Sequence, residues 1–442
     1  MPLVPTRTHR PAAADPLRRR LLTALAGAPV LAGLGACTGA DDSSAETERI
    51  QLSVFWWGGQ RRAELTEQAL RLYSQRNPRV TFQVTWQGEA GYYERLATEA
   101  SAGNAPDLFQ IDDTYLTEYA RRGILLNLED ELRAGRLDLG ALAPGLSRYG
   151  RVDGSTVAVP AGTNTAALVY NRSLLRRLGL PAPAPGISYP AFIDWATEVT
   201  AVGGGRVAGT SDASGDHRAL WLWLRGRGKE LYQSGQLGCT VEDLTDWWQL
   251  WLQARARKAT PGPALTRRGN HGDPRRQLVV SGHTAVSYAW SSQLAELQAA
   301  TREELELTGC PGPQSAHWRR ASMYWAGFAG TRHPAVVADV VNFLTNDPVA
   351  GLSLGSERGL SANLQTREVV LREVTDPATH RAAGYETAMA DRYGPAPLPP
   401  PAGHATVRAL LLSASESVQD GSATARRAAG AFLTEASRAL SR

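Results

Sequence analysis

The sequence predicts a two-lobed α/β protein, and three observations predict it. Its 442 residues exceed what one ordinary core holds and suit two lobes of comparable size. Strand-like and helix-like runs alternate from Ile50 to Arg122, which implies a mostly parallel sheet covered on both faces. Val157 to Thr165 then places a Pro, a Gly and small polar residues between two strand-like runs, the character of a crossing between lobes.

Ile50 to Phe55 reads as the first strand and runs into Trp56-Trp57-Gly58-Gly59. Leu65, Ala69, Leu72 and Tyr73 share one face of a helix from Arg62 to Gln75. Val80 to Trp86 alternates as a second strand, and Tyr92 to Ser101 is helical. Asp107 to Ile111 is an apolar run that stops at the carboxylates Asp112 and Asp113. Tyr115, Leu116 and Tyr119 continue at helical spacing, and Arg121-Arg122-Gly123 supplies a basic last turn and a glycine stop. Two carboxylates on a strand-to-helix turn occupy the end of a strand where open α/β sheets bind ligands. Further on, Ala167 to Tyr170 is a strand, Asn171 to Leu178 and Tyr189 to Thr200 are helices, and Trp221 to Trp251 is a Trp-rich helical section. Thr284 to Trp290 is a strand ending in an aromatic, and Pro334 to Leu344 and Ala423 to Leu440 are helical.

The hydrophobic fraction of 43% and charged fraction of 20% are those of a globular protein. The formal charge of +4 is accounted for by five arginines and one aspartate before Cys37. The remainder is formally neutral, which argues against nucleic acid as a partner. Tryptophan is unusually frequent, with 12 Trp against 7 Phe. A large flat face with one N–H donor suits stacking on ligands that are partly polar and partly apolar.

Arg18-Arg19-Arg20 precedes an uncharged run, Leu21 to Ala36, that is shorter than the about 20 residues a spanning helix needs. Residues 1–36 therefore have signal-peptide form. Leu34-Gly35-Ala36-Cys37 resembles the lipobox of bacterial lipoproteins, which implies lipidation at Cys37 and a polar tether over 37–48. The same arginines loosely resemble a twin-arginine export signal. Export makes Cys239 and Cys310 candidates for a disulfide, the alternative being two separately buried thiols.

Trp56-Trp57-Gly58 with Arg62, Ala102 to Asp107, Gln110 to Leu116 and Tyr119 to Gly123 together resemble the family 1 extracellular solute-binding proteins of bacterial ABC importers. Val159 to Asn164, Tyr170-Asn171, Tyr288-Ala289-Trp290 with Gln293, and Ser356 to Gly359 extend that likeness. The resemblance implies a periplasmic-binding-protein-like fold: two α/β lobes, a hinge, and a central cleft that closes on one sugar or oligosaccharide. It implies lobe 1 over 49–161 and about 303–347, and lobe 2 over about 162–302 and 348–442. It further implies ABC permease subunits as partners, a membrane reached only through the lipid anchor, a monomer, no cofactor, and a location at the outer face of the cell membrane.

Sugar recognition needs flat aromatics for ring faces and polar groups for hydroxyls. Trp56 or Trp57, Trp290 and Trp325 stand at strand ends or in loop-like contexts. The two adjacent residues point to opposite sides of a strand, so one of them faces ligand. Trp247, Trp248 and Trp251, at helical spacing, read as core. Asp112 is the preferred hydroxyl acceptor, with Asp113 or Thr114 capping the helix. Tyr115, Asn164, Gln293, Arg62 and Arg358 complete the candidate set.

Catalytic readings find less support. Glycosidase carboxylates face each other across roughly 5–10 Å, whereas adjacent residues on a turn diverge. Gly209-Thr-Ser211-Asp-Ala213 lacks the final glycine of a nucleophile elbow, and no zinc or EF-hand spacing occurs. Binding without turnover is the expectation. The alternatives are an exported glycan hydrolase, or a peptide or polyamine binder on the same scaffold.

Overall fold

The structure, a computed structural model, describes residues 49–269 and 276–441. The expected signal peptide, tether and Cys37 lie outside these residues. β1 (Ile50–Trp57), α1 (Gln60–Arg76), β2 (Val80–Gln87), α2 (Tyr92–Ser101), β3 (Leu108–Ile111) and α3 (Asp113–Arg121) follow in the expected order. α4 (Glu129–Arg133) and the hairpin of β4 (Arg151–Val152) and β5 (Ser155–Thr156) lead to β6 (Val159–Pro160), β7 (Gly162–Asn164) and β8 (Ala166–Asn171). Next come α5 (Arg172–Leu178), α6 (Tyr189–Val202), β9 (Ala208–Thr210), α7 (His217–Arg225), β10 (Tyr232–Gln233) and β11 (Gln236–Leu237). They are followed by α8 (Val241–Ala256), α9 (Pro263–Gly269), β12 (Thr284–Trp290), α10 (Leu294–Ala299) and β13 (Leu305–Thr308). The chain ends with β14 (Arg320–Ala321), β15 (Tyr324–Gly327), α11 (Pro334–Asn346), α12 (Pro348–Leu354), β16 (Leu360–Ser361), α13 (Leu364–Glu373), α14 (Pro377–Ala390), α15 (His404–Gln419) and α16 (Ala425–Leu440).

Helix starts follow local chemistry. Ser188, Asp216, Asn363, Asp376 and Thr424 each turn a side-chain oxygen onto a first-turn N–H, and Thr240 with Asp243 forms a reciprocal capping box. After α3, Gly123 adopts a φ of 69° and stops the helix, as its sequence implies.

A five-stranded sheet runs in the order β2-β1-β3-β15-β6. β1, β2 and β3 are mutually parallel and β15 runs against them. Leu52, Val54 and Trp56 face α1 and α11 on one side, while Phe55, Trp57 and Phe109 pack on the other. A second, four-stranded sheet has the order β13-β8-β12-β9, in which β8 runs against its neighbours. Behind it α8 buries Trp247, Trp248 and Trp251, as helical spacing implies. The Nε1 groups of the first two donate to the Ser214 carbonyl at 2.9 and 3.2 Å, which satisfies their polar edge.

Three short strands, in the order β14-β7-β16, stand where the chain passes between the layers. The expected crossing near Val157 to Thr165 is β6-β7-β8. The later crossings differ from expectation. β13 pairs with β8 in the second sheet, so the return to the first layer comes at Tyr324 rather than about 303. α12 packs on α1 and α11, and α13 on α12, so the first layer keeps the chain beyond 347, to Glu373. α14 then packs against β13 and α10.

The two remaining cysteines are free thiols, not a disulfide. Each is buried in its own surroundings. Cys239 lies by Asp243 and burial pushes its thiol up to about 12, while Cys310 lies by Arg218 and Asp216 and is pushed further up. The Cys310 N–H donates to His317 Nε2 at 3.2 Å, which requires a neutral ring. Burial lowers the His317 pKa from 6.5 to about 4. Above pH 6.5 both the folded and unfolded rings are neutral. Between 6.5 and 4 the unfolded chain takes up a proton that the folded one refuses, so stability falls with pH over that window, by about 3 kcal/mol from this ring. His317→Gln, which keeps an acceptor, is expected to lose less stability between pH 7 and 4.5 in urea titrations; an unchanged pH slope would count against it.

Candidate functional site

β3 is buried throughout and ends at Asp112, whose extended backbone turns the chain into α3. The Asp112 carboxylate accepts from the Thr114 N–H at 3.0 Å, the Thr114 hydroxyl at 3.2 Å and the Tyr93 hydroxyl at 3.0 Å. Asp113 turns the other way, accepting from the Tyr324 hydroxyl at 2.6 Å and pairing with Arg320 at 2.8 Å. Asp112 is therefore the helix cap and Asp113 a buried ion-pair partner, which corrects the expected division of labour. The cap position precedes the first helical residue, and only from there does a short carboxylate reach the first-turn N–H groups. Asp112 stays partly exposed, so capping leaves an edge of its carboxylate toward solvent.

An aromatic ladder stands beside it. Trp57 at the end of β1 lies 5.6 Å from Tyr93, and Tyr93 stacks on half-buried Tyr115 with ring centroids 3.9 Å apart. From the second sheet, Trp290 is half-buried at the end of β12. Its ring carries the guanidinium groups of Arg320 at 4.3 Å and Arg218 at 5.2 Å. Arg218 in turn holds Asp216: burial opposes ionisation, but the guanidinium and two backbone N–H groups keep that carboxyl below its usual range. Asn164 is paired in register with Arg320 across β7 and β14, and its Oδ1 is buried without a partner.

Trp57, Asp112, Asp113, Tyr115, Asn164 and Trp290 thus belong to one region where the strand ends of both sheets meet the crossing strands. The other candidates serve the framework. Trp56 and Trp325 are fully buried, and Arg358 covers the Trp325 ring at 4.6 Å, which closes both to a ligand. Arg358 also donates to Gln110 at 2.8 Å and Thr66 at 2.9 Å. Arg62 straps the Trp57 and Glu357 carbonyls at 3.0 and 2.7 Å. Gln293 spends its side-chain oxygen on the Trp290 N–H at 2.9 Å.

Sequence reasoning missed Tyr93, Arg320, Arg218, Arg408 and Glu89. Arg408 on α15 reaches across to the Thr114 hydroxyl at 2.8 Å. Glu89, on the turn after β2, keeps an exposed side chain. Even so, the protein crowded around it and the Asp112 charge raise its carboxyl pKa, against the pull of Arg408 and Arg62. Tyr92-Tyr93 on a predicted helix was the one available signal; Arg320 lies in a stretch with no periodicity. Among the described residues, no ion pair joins Glu89 or Asp112 to Arg62 or Arg408. A hollow of about 360 Å³ and one of about 350 Å³ lie elsewhere, beside β13 and α14, and none of the expected residues lines them.

Among the described residues, no group of three or more His, Cys, Asp or Glu side chains is placed to hold a metal ion. None of their helices is long and apolar enough to cross a membrane.

Two α/β layers, three crossing strands and a polar, aromatic-walled meeting point define a two-layered binding-protein architecture. The chain belongs to the bacterial extracellular solute-binding protein family, whose model matches residues 58–351. A protein of Brucella abortus (strain 2308) named as a binding protein is 27% identical over 163 residues, a match spanning 35% of this chain and 37% of that one. A periplasmic oligogalacturonide-binding protein of Yersinia enterocolitica, solved with saturated digalacturonic acid, has a TM-score of 0.76 at 18% identity, covering 89% of this chain and 99% of its own. An ABC substrate-binding protein of Listeria monocytogenes, solved with cycloalternan, has a TM-score of 0.74 at 15% identity, covering 88% and 99%.

Proposed function

We propose that the chain captures a sugar or oligosaccharide around half-buried Tyr115 and Trp290, where the strand ends of the two layers meet, and delivers it, unaltered, to an ABC importer. The observation that carries this reading is the set of side chains around Tyr115. Tyr115, backed by Tyr93, offers a flat face, and the carboxylates of Asp112 and Glu89 stand near the guanidinium of Arg408 without pairing with it. Unpaired charged groups around a half-open aromatic suit a ligand dense in hydroxyls. The saccharides bound by the Yersinia and Listeria proteins support the same class. The adjacent carboxylates Asp112 and Asp113 do not face each other, since Asp112 caps a helix and Asp113 is held by Arg320.

Tyr115→Ala is expected to weaken saccharide binding about tenfold, equivalent to roughly 1.4 kcal/mol, with Trp fluorescence as the readout. Unchanged affinity would move the platform elsewhere. Cys37 as a lipid anchor belongs to the same reading. A Cys37→Ala protein should leave the membrane fraction, and its retention there would remove the anchor.

A further inference from the structure

We propose that Glu386 is a positioning residue for capture: it holds the end of β12, and with it Trp290, against the strands that cross between the layers. The proposal rests on the saccharide-binding reading above. Glu386 lies on α14 and is only 2% exposed. Its Oε1 accepts from the Ser291 hydroxyl at 2.8 Å and its Oε2 from the Thr163 hydroxyl at 2.7 Å. Ser291 directly follows Trp290. Thr163 is the central residue of β7, paired in register with Ala321 of β14 on one side and Leu360 of β16 on the other. One buried carboxylate therefore bridges the end of a site strand and the middle of the crossing sheet. The backbone repeats the link, since the Ser291 N–H donates to the Thr165 carbonyl at 2.8 Å and the Thr165 N–H donates to Ser291 Oγ at 3.0 Å. Tyr385, next to Glu386 on α14, donates to the Ala166 carbonyl at 2.8 Å.

The first layer takes part through Arg367 on α13. Its Nη1 lies 3.7 Å from Glu386 Oε2, its Nη2 donates to the Thr163 hydroxyl at 2.7 Å, and its Nε donates to the Ser361 carbonyl at 2.9 Å. The Thr163 hydroxyl thus receives from Arg367 and gives to Glu386, which fixes its direction. Arg319 is a further cation acting on Arg367; its guanidinium stands 5.4 Å over the ring of Tyr393, whose hydroxyl shares a hydrogen bond of 2.7 Å with that of Thr165. A carboxylate that accepts two hydroxyls beside a guanidinium makes a stiff bridge, because each bond limits the freedom of the next. Trp290 needs such a bridge. Gln293 shapes the turn after it, and Arg320 and Arg218 cover its ring, whereas the Ser291–Glu386 link sets where the strand end stands relative to β7. Tyr115 belongs to the first layer and Trp290 to the second, so a ligand touching both is sensitive to their separation, and small displacements of a contact residue lower affinity.

The test is calorimetric titration of the native protein, Glu386→Leu, Ser291→Ala and their double variant with a panel of neutral and uronic-acid disaccharides and trisaccharides, repeated in a Trp290→Phe background. Each single variant should weaken binding of the saccharide that saturates the native protein by about fivefold or more. The double variant should bind no more weakly than E386L alone, because the two side chains form one link. With Trp290→Phe in place, the further loss from either variant should shrink below about twofold. A purely structural Glu386 would lower the melting temperature and leave the affinity of the folded protein unmoved. That result, or equal losses with and without Trp290, overturns the proposal while leaving saccharide binding intact. Should E386L fail to fold, S291A, which leaves the Glu386–Arg367 pair in place, carries the same comparison with Trp290→Phe. A panel of which no member binds the native protein overturns the saccharide reading, and this proposal with it.

Discussion

Arg320→Ala is expected to destabilise the protein by about 3–5 kcal/mol, because it strands a buried carboxylate. Arg320 and Asp113 each have side chains about 11% exposed and meet at 2.8 Å. Without the guanidinium, Asp113 keeps only the Tyr324 hydroxyl, and burial already pushes its carboxyl up toward the neutral form. The loss also reaches Trp290, whose ring Arg320 covers. Urea denaturation is the measurement, and a loss under about 1 kcal/mol would mean that the pair behaves as a solvated one. Replacing both partners with apolar residues of similar volume, Asp113→Leu with Arg320→Met, is expected to recover most of the stability, since no buried charge is then orphaned.

Gly162→Ala is expected to cost about 1–3 kcal/mol and to change the angle between the layers. Gly162 opens β7, the middle strand of the crossing sheet. A Cβ there would lie 2.3 Å from the Arg358 carbonyl oxygen, 2.9 Å from Ser322 Oγ and 3.0 Å from the Leu360 carbonyl oxygen. Two of these atoms are backbone, so relief requires strand movement. All three belong to segments that flank the crossings, and their displacement is transmitted to both sheets. Small-angle scattering of the ligand-free protein would register the altered angle. An unchanged profile together with unchanged stability would show that the crossing sheet has slack.

Much of the first layer was legible because its elements are specified locally. α2 occupies Tyr92–Ser101 as its pattern implies, and Gly123 ends α3 through its own φ. The return of the chain was misplaced because β13, Leu-Glu-Leu-Thr, pairs equally well with either sheet as far as its own residues say. The strand that does return follows a two-residue β14, whose partner Asn164 lies far back in the sequence. Asp112 and Asp113 were both recognised, but Asp112 caps α3 and Asp113 pairs with Arg320, a difference that depends on Arg320 and Tyr324, some two hundred residues away. Trp325 has the surroundings of a ligand platform in the sequence; its burial follows from Arg358 lying over it. The disulfide expectation rested on compartment chemistry, and nothing in the spacing of Cys239 and Cys310 could show that each sits in a separate environment.

The most direct test of solute capture without turnover is one titration of the purified protein with neutral and acidic oligosaccharides, followed by Trp fluorescence and then held for hours while reducing ends are assayed. Saturable binding of at least one saccharide, with no release of new reducing ends, is the predicted result. Steady release of reducing sugar, or saturation by a peptide or polyamine while every saccharide fails, would contradict it.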